Sequence, residues 1–428
     1  MRLRMALYTR RGVAYAHRLK QVAENLPMSE PTGRRINPPL IVAFAVFIVM
    51  AAPVGILNVV WEPIAGDYLQ PFESLGVLLS MYTLGRLIGT FGAGRMIVRF
   101  GLFRVLAAGT LISAGGLAGY VLSDTWPLML MSAFMLALGW GSVDISMNVY
   151  IAANHRPGMI AFLHASYGVG LTIGPVIAAL VISTLGGSWR LSYFAVLIGL
   201  LALLAWIVAI RAQWVLPHAE LSADGRTPVK APGPWATLAL PLMGGWIVFA
   251  FVYGGIEVGT GQLATTLLTE ARGLDAATAS AWISVYWGIF TVGRIIIGIV
   301  GSRIRVHVVL IVSMAVAMIG TLLLMLPGVT WALPGLLLTG AGLAAIFPTV
   351  VGSLPRWFGV NHAPNAIGFT IGVASAGTAV LPGIGAFIAV RLGFESIGAF
   401  LVVLVFALGA LYSINALRQQ SRNMRGVT

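Results

Sequence analysis

From residue 39 to residue 417 the chain is a series of long apolar runs separated by short polar breaks. Twelve runs reach the roughly 20 residues that a helix needs to cross a bilayer. They are 39–65, 72–99, 102–124, 127–153, 159–185 and 190–212, then 237–268, 275–301, 305–326, 329–352, 363–389 and 394–417. Apolar runs of this length read as membrane helices, whose backbone bonds are all internal to the segment. The one long break runs from Gln213 to Trp235 and contains AELSADGRTPVKAPGP, which is polar, proline-rich and glycine-containing and reads as a linker. The pattern therefore predicts an all-α membrane protein of twelve transmembrane helices in two pseudo-symmetric six-helix bundles. The bundles are 39–212 and 237–417, joined by a linker at 213–236. An N-terminal tail, 1–38, and a short C-terminal tail, 418–428, flank them.

The two halves also resemble each other. The second run reads SMYTLGRLIGTFGAGRMIVR from Ser80, and the eighth reads SVYWGIFTVGRIIIGIVGSR from Ser284. Without gaps, Ser80, Tyr82, Gly89, Gly94 and Arg99 meet Ser284, Tyr286, Gly293, Gly298 and Arg303. LGWGSVDI in the fourth run matches TGAGLAAI in the tenth more weakly. Internal repeats of this kind are a plan of secondary transporters, with the substrate site near the midplane between the repeats.

Composition fits a chain that meets lipid. Of 428 residues, 58% are hydrophobic and only 9% are charged, with a mean hydropathy of +0.93. A soluble domain carries about 25% charged residues. The 52 glycines suit close helix packing. With no cysteine, disulfides, thiolate metal sites and cysteine nucleophiles are excluded. No metal or cofactor is expected, and no nucleotide loop or nucleophile–base constellation suggests an enzyme.

The net charge of +13 acquires meaning from its distribution. With the N-terminus in the cytoplasm, 21 of the 26 lysines and arginines fall on the cytoplasmic side. Arg190, Arg272 and Arg391 fall outside, and Arg86 and Arg294 lie within runs. The charge is thus a topology signal and not a nucleic-acid footprint. It predicts a multi-pass inner-membrane protein with both termini cytoplasmic; a monomer is expected. The basic first 38 residues hold only Glu24 and Glu30 as acids and no apolar run, so they are not a cleaved signal peptide. They read as a tail attracted to anionic lipid, or as a sign that translation starts at Met28.

GRMIVRFG (Gly94 to Gly101) resembles the signature G-R-x-x-D-R-x-G of the major facilitator superfamily, with Val98 in place of the aspartate that helps close the cytoplasmic side. Ser302 holds the matching place in the second half. GSVDISMN, FLHASYGVGLTIGP, YGGIEVGTGQ, AIFPT and NAIGFTIGVASAG resemble the fucose-permease-like branch, which includes proton-coupled sugar symporters. Its sugar porters carry acids in the first and fourth helices. Here the fourth has Asp144, and the first has only Glu62 near its outer end.

Charges inside a bilayer cost about 2.5–3.5 kcal/mol or more, which makes each a candidate functional residue. Helical spacing puts Trp140, Asp144 and Asn148 on one face, directed at a cavity. Two readings of Asp144 stand: a proton-coupling site, or a permanent ion pair with Arg86. Glu257 shares a face with Tyr253 and Gly261, with Gln262 beside it, and is a second proton site, a hydrogen-bond acceptor for substrate hydroxyls, or a partner of Arg294. Arg86 and Arg294 also suggest a clamp for a small organic anion. Trp140, Asn148, Tyr253 and Gln262 complete the candidate substrate site. His164 is expected to hydrogen-bond Asn148 or to relay a proton. Gly168, Gly170, Gly174, Gly372 and Gly377 read as helix packing points. The sequence thus favours a proton-coupled carrier of a sugar or sugar-like metabolite, then an organic-anion transporter, then a non-transporting receptor or scaffold.

Overall fold

A computed structural model describes residues 37–71, 74–156, 158–184, 187–216 and 232–425. Residues 1–36 and 217–231, with Glu24, Glu30, Met28 and most of the linker, lie outside them. Among the described residues, twelve helices are long and apolar enough to cross a membrane. They are α1 (Pro38–Asp67), α2 (Leu75–Phe100), α3 (Leu102–Leu122), α4 (Trp126–Asn154), α5 (Gly158–Ala179) and α6 (Trp189–Ala209), followed by α7 (Met243–Thr266), α8 (Ala276–Val300), α9 (Val306–Met325), α10 (Ala332–Phe358), α11 (Ala363–Leu392) and α12 (Ser396–Arg425).

Helix ends follow local chemistry. Gly101 ends α2 with φ at 85°, a left-handed value that only glycine adopts without strain. The last glycine of GRMIVRFG is therefore the turn into α3. Asp275 caps α8 by accepting from the Thr278 backbone N–H at 2.9 Å. Inside α10 the helix breaks at Ala345. Pro348 has no N–H to give the Ala344 carbonyl, three to four residues back, and that loss accounts for the break.

In the first half α2 and α3 pack on α4, and α3 packs on α6. In the second half α7 packs on α11, and α9 packs on α10 and α12. The halves meet where α2 lies on α11 and α5 on α8. Every described acid outside the cavity sits at one end of the molecule, the acidic end: Glu62, Asp67, Asp124, Glu270, Asp275 and Glu395. Both described termini lie at the opposite, basic end.

At the acidic end each half is tied by one arginine. In the first, Arg190 at the start of α6 pairs with Asp67 at the end of α1 and donates to the Ser123 carbonyl beyond α3 at 3.3 Å. Burial pushes the Asp67 carboxyl up, but hydrogen bonds from Trp189 and Arg190 overcome this and hold it below the usual carboxylate range. In the second half the charges are exchanged. Arg272, beyond α7, donates to both Glu395 oxygens at 3.2 and 3.0 Å and to the Leu324 carbonyl of α9 at 2.6 Å. Two of the three arginines that broke the charge bias are thereby explained. The third, Arg391, lies 4.0 Å over the Phe387 ring.

The two ties differ in burial, and that decides their strength. The Arg272 side chain is 1% exposed and that of Arg190 is 27% exposed. Arg272→Ala leaves a buried carbonyl without its donor, a loss of about 1–3 kcal/mol. Arg190→Ala should cost less, as exposed pairs contribute about 0–1 kcal/mol. Unfolding midpoints of the two variants in detergent check this, and the reverse order would refute it.

The basic end is closed by glycine contacts between the halves. A Cβ on Gly94 of α2 would sit 2.6 Å from the Pro364 carbonyl oxygen of α11. A Cβ on Gly158 of α5 would sit 2.6 Å from the Gly298 carbonyl oxygen of α8. Gly94 and Gly298 are mates in the sequence repeat, so the seam follows the pseudo-symmetry. No ion pair contributes to it among the described residues, in keeping with Val98 at the signature's acidic position.

Candidate functional site

Beyond the seam a cavity of about 860 Å³ lies between the halves. Its lining runs from Asp144 and Phe347 at the floor to Thr172 and Ser284 towards the acidic end. With the basic end closed, it opens at the acidic end.

Two ion pairs line it, one from each half. On the first side the Arg86 guanidinium of α2 is 3.6 Å from the Asp144 carboxylate of α4. That separation is a Coulombic contact, too long for a good hydrogen bond. Asp144 is 2% exposed, and its carboxylate accepts a hydrogen bond from Asn148 Nδ2 at 2.8 Å. On the second side Arg294 of α8 donates to Glu257 of α7 at 3.2 Å and lies 4.1 Å over the Phe290 ring. The four charges sum to zero. The first pair is the looser, so the Asp144 charge is the less fully compensated.

The floor is aromatic and crosses from one half to the other. Tyr167 stacks on Trp140 at 5.8 Å, and Trp140 meets the edge of Phe47 at 4.9 Å. His164 stands between Phe47 at 5.9 Å and Phe347 at 5.7 Å. Phe347, just past the break in α10, stacks on Tyr253 at 5.4 Å. The Tyr253 hydroxyl donates to the Leu343 carbonyl at 3.1 Å, and the Tyr286 hydroxyl to the Glu257 carbonyl at 2.8 Å. Several buried polar atoms at this level have no protein partner: Arg86 Nε, Arg294 Nε, Trp140 Nε1 and His164 Nε2.

The structure brings together Arg86, Trp140, Asp144, His164, Tyr253, Glu257 and Arg294, and places the other two elsewhere. Asn148 is fully buried behind Asp144 and donates both to its carboxylate and to its backbone carbonyl. It does not bond His164, whose ring is held by the two phenylalanines. Gln262 is exposed and does not line the cavity. It lies five residues from Glu257, which at 100° per residue turns it to another face of α7. Of the glycines, Gly168 faces Thr291 and Gly372 faces Phe91 across the halves, while Gly170, Gly174 and Gly377 pack within their own halves. Phe47, Phe290 and Phe347, with Thr172, Ser284, Thr291, Ser375 and Thr378, also line the cavity. Nothing in the sequence set these apart from ordinary span residues.

Similarity to known proteins agrees with this architecture. The sequence profile described as Major Facilitator Superfamily matches residues 42–350 and 246–423. The chain is 23% identical over 259 residues to a glucose/mannose transporter, GlcP, of Bacillus subtilis (strain 168), covering 58% of this chain and 62% of that relative. It spans less than two thirds of that relative's length. Among solved structures it is similar to FucP in the outward conformation, with a TM-score of 0.72 and 17% identity, covering 86% of this chain and 97% of that one. A second FucP structure is described as that of the E. coli fucose:proton symporter, with a TM-score of 0.69 and 18% identity over 86% of this chain and 97% of that one. The human organic anion transporter MFSD10 gives 0.66 and 16% identity over 89% and 100% of the two chains.

Proposed function

Since the chain belongs to the major facilitator superfamily, we propose that it is a secondary transporter carrying a small uncharged polyhydroxy solute, a sugar or sugar-like metabolite, by alternating access. The basic end is taken to face the cytoplasm of an inner membrane, following the positive-inside rule, with both termini there and a monomer as the working unit. The observation that carries the reading is a charge-neutral cavity with an aromatic floor. Rings offer flat apolar faces to the C–H side of a sugar, and the ion pairs and mouth hydroxyls offer partners to its hydroxyl groups. A net zero charge gives a free anion or cation no standing attraction. GlcP and FucP, similar to this chain, are named for sugars, which supports the same reading.

Proton coupling falls to Asp144, with Glu257 as the second group. In this reading Asp144 carries its charge while the cavity is open and wet. Protonation removes the need for Arg86, loosens the pair, and lets the site be sealed for the opposite state. A second reading, an organic-anion carrier, is favoured by the unpartnered Nε atoms of Arg86 and Arg294. A non-transporting receptor would show no flux at all.

The test uses purified protein in liposomes with a pH dye inside, challenged with sugars and small organic anions. The expected result is a substrate-dependent pH change with a sugar and none with the anions. A response confined to the anions would favour the second reading, and silence across both panels would remove the transport reading.

A further inference from the structure

Arg156 and Arg356 at the basic end have no ion pair with a described carboxylate. Of the 13 acids in the chain, Glu24, Glu30, Glu73, Glu220 and Asp224 lie outside the described residues. The rest sit at the acidic end or in the cavity. Yet the seam between the halves holds a second recess, of about 140 Å³, lined by Arg156 from the α4–α5 turn and Arg356 from α10. The rest of its wall is Gly158 and Ala161 of the first turn of α5, Thr349 of α10, and an apolar side running from α8 to α9 that includes Ile297, Ile304 and Val309. The recess spans the two halves at the place where Gly158 meets Gly298.

We propose that this recess is a binding site for a phosphate group, which bridges Arg156 of one half and Arg356 of the other and holds the basic end closed. Three features converge. Two exposed arginines from opposite halves line one recess, and guanidinium pairs with phosphate in a bidentate fashion. The amino end of the 22-residue α5 adds the positive end of its dipole. The recess, at about 140 Å³ against about 860 Å³ for the central cavity, admits a small anion. Its two walls belong to different halves, so separation of α5 from α8 takes it apart. An anion that binds only the assembled recess must therefore favour the closed basic end. This effect on conformation rests on the alternating-access reading above, but its test needs neither solute nor protons. The phosphate comes either from an anionic lipid headgroup or from a soluble phosphate, and the test separates them.

The chain has no cysteine, so Phe100→Cys on α2 and Val308→Cys on α9, both exposed at the basic end, take spin labels without background. The full-length protein is placed in phosphatidylcholine vesicles, alone, with inorganic phosphate, or with added phosphatidylglycerol. The distance between the labels is then read by pulsed electron resonance. The expected result is a rise of about fivefold in the ratio of short to long distances, the lower end of typical coupling between sites. Arg156→Gln with Arg356→Gln should remove the rise, and the two Arg→Lys changes should keep part of it. A response to inorganic phosphate in plain vesicles assigns a soluble anion, and one seen only with phosphatidylglycerol assigns a lipid. An equal response in the Gln double variant, or no response to either addition, would overturn the proposal. So would a response that emerges only after Glu220→Gln and Asp224→Asn, because the linker's own acids would then be the occupants.

Discussion

Replacing Asp144 by asparagine is expected to abolish solute-driven proton movement while leaving solute exchange in place. The carboxylate is 2% exposed, 3.6 Å from Arg86, and held by Asn148. Sealing such a charge away from the wet cavity costs at least about 2.5–3.5 kcal/mol on insertion scales, or roughly two orders of magnitude in population. In the proposed mechanism protonation removes that barrier and so couples the proton to the conformational step. Asparagine keeps the shape and stays neutral, so the variant should cross between states without a proton. Net uphill transport and the accompanying pH change should fall about 100-fold, whereas exchange of labelled solute across a membrane with equal concentrations should persist. A fixed Arg86–Asp144 pair makes a different forecast. Breaking it would strand the arginine and destabilise the fold by about 3–5 kcal/mol, and joint replacement by neutral residues of similar size would restore function. Arg86→Met with Asp144→Asn therefore decides between them. If that double variant moved protons with solute as the native protein does, Asp144 would be a structural partner and Glu257 the remaining candidate.

The parts of this molecule that were legible in its sequence are those on which the bilayer imposes a strict condition. Twelve helices follow from the length of apolar runs, because lipid admits no unpaired backbone. The pairs Arg86–Asp144 and Glu257–Arg294 follow because a lone charge has no other refuge at the midplane. The seam was half legible. Gly94 and Gly298 stand out as repeat mates, but Gly158, which meets Gly298, sits in a turn where a glycine needs no special reason.

What escaped notice depends on three-dimensional neighbours. Asp67 and Glu395 look like ordinary loop acids, and Arg190 and Arg272 look like lapses in the charge bias. A usable signal existed: a shift of 205 residues, one more than the 204 that aligns Gly94 with Gly298, carries Asp67 onto Arg272 and Arg190 onto Glu395, so the two halves hold one tie with its charges exchanged. Phe47 and Phe347 gave no signal at all. A phenylalanine in a membrane helix is unremarkable until the break at Ala345 sets one beside His164. Gln262 erred the other way, because a polar residue near Glu257 in sequence is turned elsewhere by helical geometry.

Gly94→Ala and Gly158→Ala, separately or together, are expected to open the basic end and close the acidic end. Each new methyl group would stand 2.6 Å from a backbone carbonyl oxygen of the other half, well inside van der Waals contact. The atom it meets belongs to a helix backbone and cannot rotate aside, so relief requires the halves to separate. The clash exists only while α2 touches α11 and α5 touches α8, so it raises the energy of this state and not of one in which those contacts are released. A penalty of 1–3 kcal/mol, typical of core overpacking, shifts the balance between states by about 5–150-fold. The readout is alkylation, from the acidic side, of a single cysteine placed at Thr172 on the cavity mouth. That cysteine should react quickly in the otherwise native chain and at least about tenfold more slowly in the glycine variants. Gly92→Ala is the control, because a Cβ there meets nothing within 4 Å and alanine favours a helix by roughly 0.5–1 kcal/mol over glycine. Unchanged reactivity in the Gly94 and Gly158 variants would mean that the seam tolerates the added volume. The closed basic end would then have to be held by something other than close backbone contact, which places more of its stability on the Arg156–Arg356 recess.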